Sequence, residues 1–377
     1  MNVSRRQFLG RTAAAAALTP IALTGASDYC EAAANADFDL SMGFPDGAIR
    51  LNYNENTLGP SPKAIEGAMA AVPGSNRYAL SHTFAPHVAD HLGLDKDWVL
   101  MGSGSSELLR IAPITRAHNG GNVVAARETW GGMIAVAENV GLSIKRLDMR
   151  DNGGFSYNLD QMLGAVDSAT QIFMIVTPNN PTGTTLSYEQ IKSVADALPK
   201  DVLFVLDQAY VDYQPDGPTG IDLLKQGYKN ILVTQTFSKA HALAGLRCGY
   251  GAAHPDILKA ISGLGCGPAS VNMAAYGAGL GALSDLDHAK RSRKYVQSAK
   301  KYFKRECERL GLNSVAGPSP FILIELGDRT DEIHAELVKR KIFVTHGSTW
   351  QVPDYLRISY GLESENEAFI DALKSLV

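Results

Sequence analysis

The chain has 377 residues, 45% of them hydrophobic and 20% charged, with a formal net charge of −4. This balance is typical of a globular protein large enough for a full core and two domains. There is no basic excess that would indicate a nucleic-acid surface and no long charge run that would indicate a tail.

The N-terminal segment has the parts of an export signal. Arg5 and Arg6 precede an apolar run from residue 13 to residue 24, and small residues follow up to Ala36. A run of about twelve apolar residues is too short for a bilayer, which needs roughly twenty. Paired arginines, a short apolar region and an A-x-A site predict a twin-arginine signal peptide over 1–36. The expected product is a folded, exported protein, periplasmic in a bacterium with two membranes, that is free of the membrane after cleavage.

The cysteines predict no disulfide framework. Cys30 falls within the predicted signal, which leaves Cys248, Cys266 and Cys307, an odd number without metal-ligand spacing. At least one of the three should remain a free buried thiol. The sequence predicts no metal site.

The segment 37–75 is predicted to form an N-terminal arm and part of a small domain. Within it, Ser61 should cap a helix that begins at Pro62, because a proline suits the first helical position. Asn76-Arg77-Tyr78 then lies in a loop, at the start of a large domain predicted over 76–284.

Apolar runs alternate with helical patterns from residue 98 to about residue 250. The runs predicted as strands are 98–101, 122–126, 144–147, 171–176, 202–206 and 231–235. This alternation predicts an α/β fold with a mostly parallel sheet flanked by helices, in which ligands bind beyond the carboxyl ends of the strands.

Polar residues follow several of these strands. A Gly/Ser turn, Gly102 to Ser106, joins a strand to a helix and can offer backbone N–H groups to an anion. Lys239 follows the strand at 231–235, where a lysine is costly to desolvate and suits imine chemistry. Alone, each motif is weak, since a Ser-Lys pair is usually a surface lysine at a helix start. Their convergence on one sheet edge favours a site.

Residues 285–377 are predicted to form a smaller α+β domain. A long charged helix from Asp285 to Leu310 would connect the two domains. Its other predicted elements are strands at 321–325, 342–344 and 356–359 and helices at 330–340 and 369–376.

Four motifs in this order resemble the fold-type I pyridoxal-phosphate aminotransferases (class I/II), in particular their histidinol-phosphate aminotransferase-like branch. They are Asn179-Asn-Pro-Thr-Gly183, Asp207-x-Ala-Tyr210, Ser238-Lys-Ala with Leu243-Ala-Gly-Leu-Arg247, and Leu356-Arg357. The resemblance covers nearly all of the chain after the predicted signal. It implies pyridoxal 5'-phosphate as the cofactor and a large cofactor-binding domain beside a smaller one.

The resemblance also implies roles around the cofactor ring. Lys239 would carry the cofactor as a Schiff base and move the proton at the substrate α-carbon. Asp207 would pair with the pyridine nitrogen. Asn180 and Tyr210 would hydrogen-bond the phenolic oxygen, and Trp130 would stack on the ring.

Further implied contacts concern the phosphate and the substrate. Tyr78 matches a tyrosine that reaches the phosphate of the neighbouring subunit, which implies a homodimer with shared sites. Arg357 would bind the substrate carboxylate, with Asn54 and Asn180 as additional candidate contacts. The residues expected to hold the phosphate within one subunit are Gly104, Ser105, Ser106, Ser238 and Arg247.

The substrate end departs from that branch. True histidinol-phosphate enzymes usually carry a second arginine after the Ile-x-Val strand, but here the chain continues Thr345-His346 and has no arginine between Arg340 and Arg357. A histidine-biosynthesis step would also be misplaced outside the cytoplasm. Both points argue against histidinol phosphate as substrate. His346 is either a substrate contact or a solvated loop residue. Gln208 replaces a more usual glutamate and is expected to point away from the ring.

Three functions fit these residues. The leading hypothesis is an aminotransferase that moves an amino group from an amino acid to a 2-oxo acid. The alternative keeps fold and cofactor but decarboxylates or oxidises an amino acid. A non-catalytic binding protein is disfavoured by the retention of Lys239, Asp207 and Arg247.

Overall fold

The structure, a computed structural model, describes residues 43–78, 81–151, 154–214, 217 and 219–377. The predicted signal peptide lies outside the described residues. Residues 49–377 form one compact unit. In the described part of the chain, no helix combines the length and the apolar character needed to cross a membrane.

The strands and helices follow the predicted α/β order. The strands are β1 (Ile49–Arg50), β2 (Val99–Ser103), β3 (Asn122–Ala126), β4 (Ser143–Leu147), β5 (Arg150–Asp151), β6 (Gly154–Phe155), β7 (Thr170–Val176), β8 (Leu203–Asp207), β9 (Ile231–Thr236), β10 (Cys248–Ala253), β11 (Ser314–Val315), β12 (Phe321–Glu325), β13 (Ile342–Phe343), β14 (Thr345–His346) and β15 (Tyr355–Ser359). The helices are α1 (Pro62–Ala71), α2 (Ser81–Leu92), α3 (Ser105–Ile111), α4 (Gly132–Asn139), α5 (Leu159–Gly164), α6 (Tyr188–Ala197), α7 (Gly220–Lys225), α8 (Pro255–Ser262), α9 (Met273–Leu283), α10 (Leu286–Arg309), α11 (Thr330–Lys339) and α12 (Glu363–Lys374).

Seven strands of the described chain form the large sheet, in the order β2-β10-β9-β8-β7-β3-β4. β10 runs antiparallel to both of its neighbours, and the other neighbouring pairs are parallel. β8 and β9 are buried along their whole length. The predicted α/β class with a mostly parallel sheet is confirmed, and the carboxyl ends of β8 and β9 meet at one edge.

Two helix starts form as their capping residues predict. Ser61 Oγ accepts a hydrogen bond of 3.1 Å from Ala64 N at the start of α1. Ser187 and Gln190 form a reciprocal capping box at the start of α6, with hydrogen bonds of 3.2 and 2.8 Å. Local side-chain chemistry therefore determines both boundaries.

The sequence analysis missed β10. Its residues, Cys248-Gly-Tyr-Gly-Ala-Ala253, contain no β-branched side chain and therefore show little strand propensity. The strand depends instead on close packing: a Cβ on Gly249 would lie 2.2 Å from Ser105 N, and a Cβ on Gly251 would lie 2.5 Å from Leu108 Cδ2. Glycine at both positions lets β10 lie directly against the first turn of α3.

The smaller sheet is antiparallel, in the order β11-β12-β15-β14. β1, in the N-terminal arm, pairs in parallel with β13, which lies in the small-domain sequence. The domain boundaries after residues 75 and 284 stay a prediction. Cys248, Cys266 and Cys307 are all buried free thiols.

We expect Gly249→Ala to destabilise the protein and to weaken cofactor binding, because its Cβ would meet backbone rather than a movable side chain. Overpacking of this kind typically costs about 1–3 kcal/mol. Gly245→Ala is the matched control, since a Cβ there has no neighbour within 4 Å. Denaturant unfolding and cofactor titration of both variants measure the effect. Equal stability of the two variants would contradict the close approach.

Candidate functional site

The edge formed by the carboxyl ends of the large sheet brings the predicted residues together. Asp207 is the last residue of β8, and the loop with Ser238 and Lys239 follows β9. Lys239 Nζ lies 5.8 Å from the centre of the Tyr210 ring. Parallel neighbours end at the same edge, so residues about thirty positions apart become neighbours.

Asp207 is a buried carboxylate held by neutral donors. It is 4% exposed and accepts hydrogen bonds from Thr234 Oγ1 at 3.1 Å and Ala209 N at 3.2 Å. Burial raises its pKa to about 6, although these two hydrogen bonds and the charge of Lys239 oppose the shift. A carboxylate in this position stabilises a buried cation beside it.

Lys239 is a half-buried lysine whose charge is disfavoured. Its Nζ donates to the carbonyl oxygens of Tyr53 at 3.0 Å and Asn54 at 3.3 Å. Burial, together with the nearby charge of Arg357, lowers its pKa to about 8, while Glu55 opposes the shift. A depressed pKa increases the neutral fraction that can attack a carbonyl group.

Arg247 and the first turn of α3 form a cradle for an anion. Arg247 Nη2 donates to Ser106 Oγ at 3.1 Å, and Nη1 lies 3.5 Å from Ser238 Oγ. Gly104 precedes α3 at φ 73°, and a Cβ there would lie 2.3 Å from Arg247 Nη2. Ser105 is buried at the helix start. A guanidinium, hydroxyl groups and the N–H groups of a helix start suit a phosphate.

Arg357 is a buried cation on β15, 4% exposed. Its Nη1 donates to Asn180 Oδ1 at 2.7 Å, and its Nη2 donates to Thr345 Oγ1 at 3.1 Å and to Asn52 O. Burial lowers its pKa to about 10. The buried Nε has no hydrogen-bond partner among the described residues. These partners are uncharged, so the guanidinium retains a full charge for an incoming anion.

Two aromatic rings fix the plane of that guanidinium. Arg357 Cζ lies 4.5 Å from the centre of the Trp350 ring and 5.5 Å from that of Phe321. A desolvated cation–π contact contributes about 2 kcal/mol. Arg357, the proposed carboxylate clamp, thus has a defined orientation before any substrate binds.

Asn54 connects the two sheets. Its Nδ2 donates to the hydroxyl of Tyr210 at 2.9 Å, and its Oδ1 accepts from Ser359 Oγ at 2.9 Å. Tyr210 lies just beyond β8, and Ser359 ends β15. Both polar groups of the Asn54 side chain are engaged within the protein, and its contact with substrate stays a prediction.

The remaining predicted residues lie in varied surroundings. Trp130 is half-buried beside Gly132, whose Cβ would come within 2.1 Å of the indole. Tyr78 is 85% exposed. His346 accepts from Ser348 N at 3.1 Å, which forms a local cap, and its Nε2 lies 2.9 Å from Asp331 Oδ1. Gln208 accepts from Gly220 N at 2.9 Å.

The sequence analysis missed several contributors to this site. Thr234 and Trp350 carry no motif, and the acceptors on Asn52 and Tyr53 are backbone carbonyls. Only Thr345 had a signal, because it occupies the stretch in which an arginine was expected. Backbone acceptors cannot be found from side-chain identity.

These residues fit pyridoxal phosphate. The buried Asp207 carboxylate matches a protonated ring nitrogen, and the low pKa of Lys239 matches a carbonyl-bonding amine. The cradle beside Gly104 would be filled by a Cβ. The donor set therefore provides for the ring nitrogen, the reactive carbon and the phosphate of one molecule.

Comparison with known proteins agrees with this arrangement. The family described as aminotransferase class I and II matches residues 46–373. A histidinol-phosphate aminotransferase of Symbiobacterium thermophilum is 31% identical over 341 residues, which cover 90% of this chain and 93% of that protein. One from Pseudomonas fluorescens is 33% identical over 340 residues, covering 88% and 90%. The structure of a Sinorhizobium meliloti histidinol-phosphate aminotransferase with pyridoxal-5'-phosphate has a TM-score of 0.79 at 24% identity, covering 88% of this chain and 92% of its own.

The fold and the site therefore define a pyridoxal-phosphate enzyme of the fold-type I architecture. The chain belongs to the class I and II aminotransferases and is a transaminase. The predicted fold-type I aminotransferase family, enzyme class and cofactor are confirmed.

We expect Asp207→Asn to stabilise the cofactor-free protein near neutral pH. The pKa of Asp207 is raised from about 3.8 to about 6 in the folded state. The folded protein therefore loses stability as pH rises through this window, by about 3 kcal/mol for a shift of this size. The variant lacks that loss but should bind cofactor poorly.

Thermal unfolding of cofactor-free wild type and Asp207→Asn across this pH range measures the difference. The gap should widen in favour of the variant as pH rises. Parallel pH profiles would show that the buried carboxylate carries no such penalty.

Proposed function

We propose that this transaminase transfers an amino group from an amino acid to a 2-oxo acid and that histidinol phosphate is not its substrate. The observation that carries the proposal is the surroundings of Arg357, a buried guanidinium whose partners Asn180, Asn52 and Thr345 are all neutral. One buried positive charge matches one carboxylate.

A phosphate monoester would be poorly matched at the same place. It carries close to two negative charges at neutral pH, and an unpaired buried charge is strongly unfavourable. Thr345 stands in the stretch where a second arginine was expected, and its hydroxyl is bonded to Asn52 O at 2.7 Å and to Arg357. The names of the relatives therefore do not transfer to the substrate of this chain.

The residues of the large sheet would hold the cofactor. Pyridoxal phosphate supplies an electron sink that makes the α-proton of the bonded amino acid acidic. Asp207 would keep the ring nitrogen protonated, and Lys239 Nζ would accept and return the α-proton. Asn180 and Tyr210 would hold the phenolic oxygen, and Trp130 would pack on the ring. Arg247, Ser238 and the start of α3 with Gly104, Ser105 and Ser106 would hold the phosphate.

The half-reaction test uses purified holoenzyme and one amino acid at a time, without 2-oxo acid. We expect a single turnover that releases one 2-oxo acid per site and removes the visible absorbance of the lysine-bound cofactor, which added 2-oxo acid then restores. Borohydride should fix the cofactor to Lys239. Catalytic release of carbon dioxide or uptake of oxygen would favour the decarboxylase or oxidase alternative. Turnover of histidinol phosphate faster than that of every amino acid tested would overturn the substrate proposal but not the assignment as a transaminase.

The carboxylate clamp has its own variant in this assay. We expect Arg357→Lys to raise KM for the amino acid about 10–100-fold, since hydrogen bonds to a charged group contribute about 1.5–3 kcal/mol. Arg329→Lys makes the same change at an exposed arginine of the small domain that pairs with Glu332, and it should leave KM unchanged.

We also propose a homodimer in which Tyr78 reaches the phosphate of the partner's site. The 85% exposure of the Tyr78 side chain leaves it available to a partner subunit, and tyrosine is enriched at protein interfaces. Each site would then combine Lys239 of one subunit with Tyr78 of the other.

Hybrid dimers test the shared site. We expect Tyr78→Phe to weaken cofactor binding and Lys239→Ala to abolish turnover. A hybrid of the two variants should regain one site with wild-type cofactor affinity, because both lesions fall in the other site. A hybrid whose active site keeps the weakened affinity of Tyr78→Phe would show that Tyr78 acts within its own subunit.

Export by the twin-arginine route remains our proposal for the segment 1–36. The paired Arg5 and Arg6 before a short apolar run support it. A bound cofactor is compatible with that route, which carries folded proteins. N-terminal sequencing of exported protein should begin close after Ala36, and a mature protein that begins at Met1 would exclude cleavage.

A further inference from the structure

The segment Asn52–Asn54 contacts both Lys239 and Arg357, the two cationic side chains at the centre of the site. Its three consecutive carbonyl groups all accept side-chain hydrogen bonds. Asn52 O accepts from Arg357, whereas Tyr53 O and Asn54 O accept from Lys239 Nζ at 3.0 and 3.3 Å. One short stretch of backbone thus contacts both the lysine and the arginine.

Asn54 has an uncommon backbone conformation, with φ at 54°. Residues other than glycine seldom adopt a positive φ, and asparagine is among those that tolerate it best. The conformation is fixed by Ser359, whose Oγ accepts from Asn54 N at 2.8 Å and donates to Asn54 Oδ1 at 2.9 Å. Tyr210 holds the other end of the side chain. Strained backbone of this kind is concentrated at functional sites.

The two carbonyl groups restrict the geometry of the lysine nitrogen. Nζ has four tetrahedral positions, of which Cε takes one and the carbonyls of Tyr53 and Asn54 take two. In the neutral amine both N–H bonds are used by the carbonyls, and the lone pair occupies the fourth position. A proton taken up there becomes the third N–H of the ammonium group and can be returned from the same position.

We propose that Asn54 is a positioning residue for Lys239, whose free amino group is held on the carbonyls of Tyr53 and Asn54 so that one defined position of Nζ remains for proton transfer. This rests on the proposed function, in which the amino group is free while substrate is bonded to the cofactor. The α-proton then passes to the lone pair of Nζ, and the electrons of the broken C–H bond stay with the substrate adduct.

The charges around Lys239 determine what loss of these acceptors should do. Arg357 and Arg247 disfavour the ammonium form, whereas Glu55 and Asp207 favour it. Carbonyl acceptors stabilise the charged form more than the neutral form. Withdrawing them should therefore lower the pKa of Lys239 below its value of about 8.

Comparing Asn54→Ala with Asn54→Gly separates the contribution of the Asn54 backbone conformation from that of its side chain. Both variants lose the side-chain hydrogen bonds with Tyr210 and Ser359, but only glycine adopts the positive φ without strain. For Asn54→Ala we expect kcat to fall about tenfold or more. This loss is a part of the ~10²–10⁴-fold rate enhancement that a positioned general acid–base group supplies. The α-deuterium isotope effect on kcat should rise while KM changes little, and Asn54→Gly should recover at least part of both losses.

A second measurement does not depend on turnover. The cofactor-free full chain is treated with trace acetic anhydride at a series of pH values. Mass spectrometry then measures the acetylation of Lys239, and its pH dependence gives the pKa of the amino group. We expect the pKa to fall in Asn54→Ala and to be closer to wild type in Asn54→Gly. Ser359→Ala, which removes the anchor of the Asn54 backbone, should lower it as well and carries the test if Asn54→Ala does not fold.

Three results would overturn the proposal. They are a wild-type pKa and isotope effect in Asn54→Ala, equal impairment of Asn54→Ala and Asn54→Gly, and wild-type behaviour of Ser359→Ala where that variant carries the test. Borohydride reduction keeps this outcome separate from the proposed function. If no cofactor becomes fixed to Lys239 in wild type, the assigned catalytic role fails, whereas the acetylation pKa still decides whether the carbonyls hold the amine.

Discussion

The site depends on a carboxylate buried where water cannot solvate it. Asp207 lies at the end of a fully buried strand and is held by neutral donors, so burial raises its pKa to about 6. A protonated ring nitrogen placed there would remove this penalty, so that the binding of the cofactor and the stability of the folded chain are coupled. The same burial lowers the pKa of Lys239 to about 8. Burial at this sheet edge therefore has two effects. It favours a cation beside Asp207, and it increases the neutral, reactive fraction of Lys239.

The second organising feature is the contact between the sheets. Arg357 on the small sheet donates to Asn180 at the edge of the large sheet, and Asn54 joins Tyr210 to Ser359. The N-terminal arm thus takes part in the site through its backbone as well as through its side chains. Such a contact lets the position of the carboxylate clamp influence the group that is expected to move the proton.

The cofactor end and the substrate end of the site are built differently. At the cofactor end Asp207 ends β8, and Lys239 and Arg247 lie between β9 and β10, in a chain that belongs to a family sharing one cofactor. Around Arg357 the partners are an amide, a hydroxyl and a backbone carbonyl, with Trp350 stacked on the guanidinium. The family chemistry therefore depends on the first end, whereas the proposed choice of substrate concerns the second.

The amino-acid sequence by itself determined the fold class and six of the seven strands of the large sheet, and its motifs indicated the cofactor. Those features depend on local patterns: apolar runs, capping residues such as Ser61 and Ser187, and motifs in which a chemical group has a fixed place. The tertiary structure alone decided the existence of β10, the stacking of Trp350 on Arg357 and the use of the Tyr53 and Asn54 carbonyls by Lys239. The physical reason is that close packing and backbone hydrogen bonds join residues far apart in sequence, and backbone carbonyls are the same for every residue type.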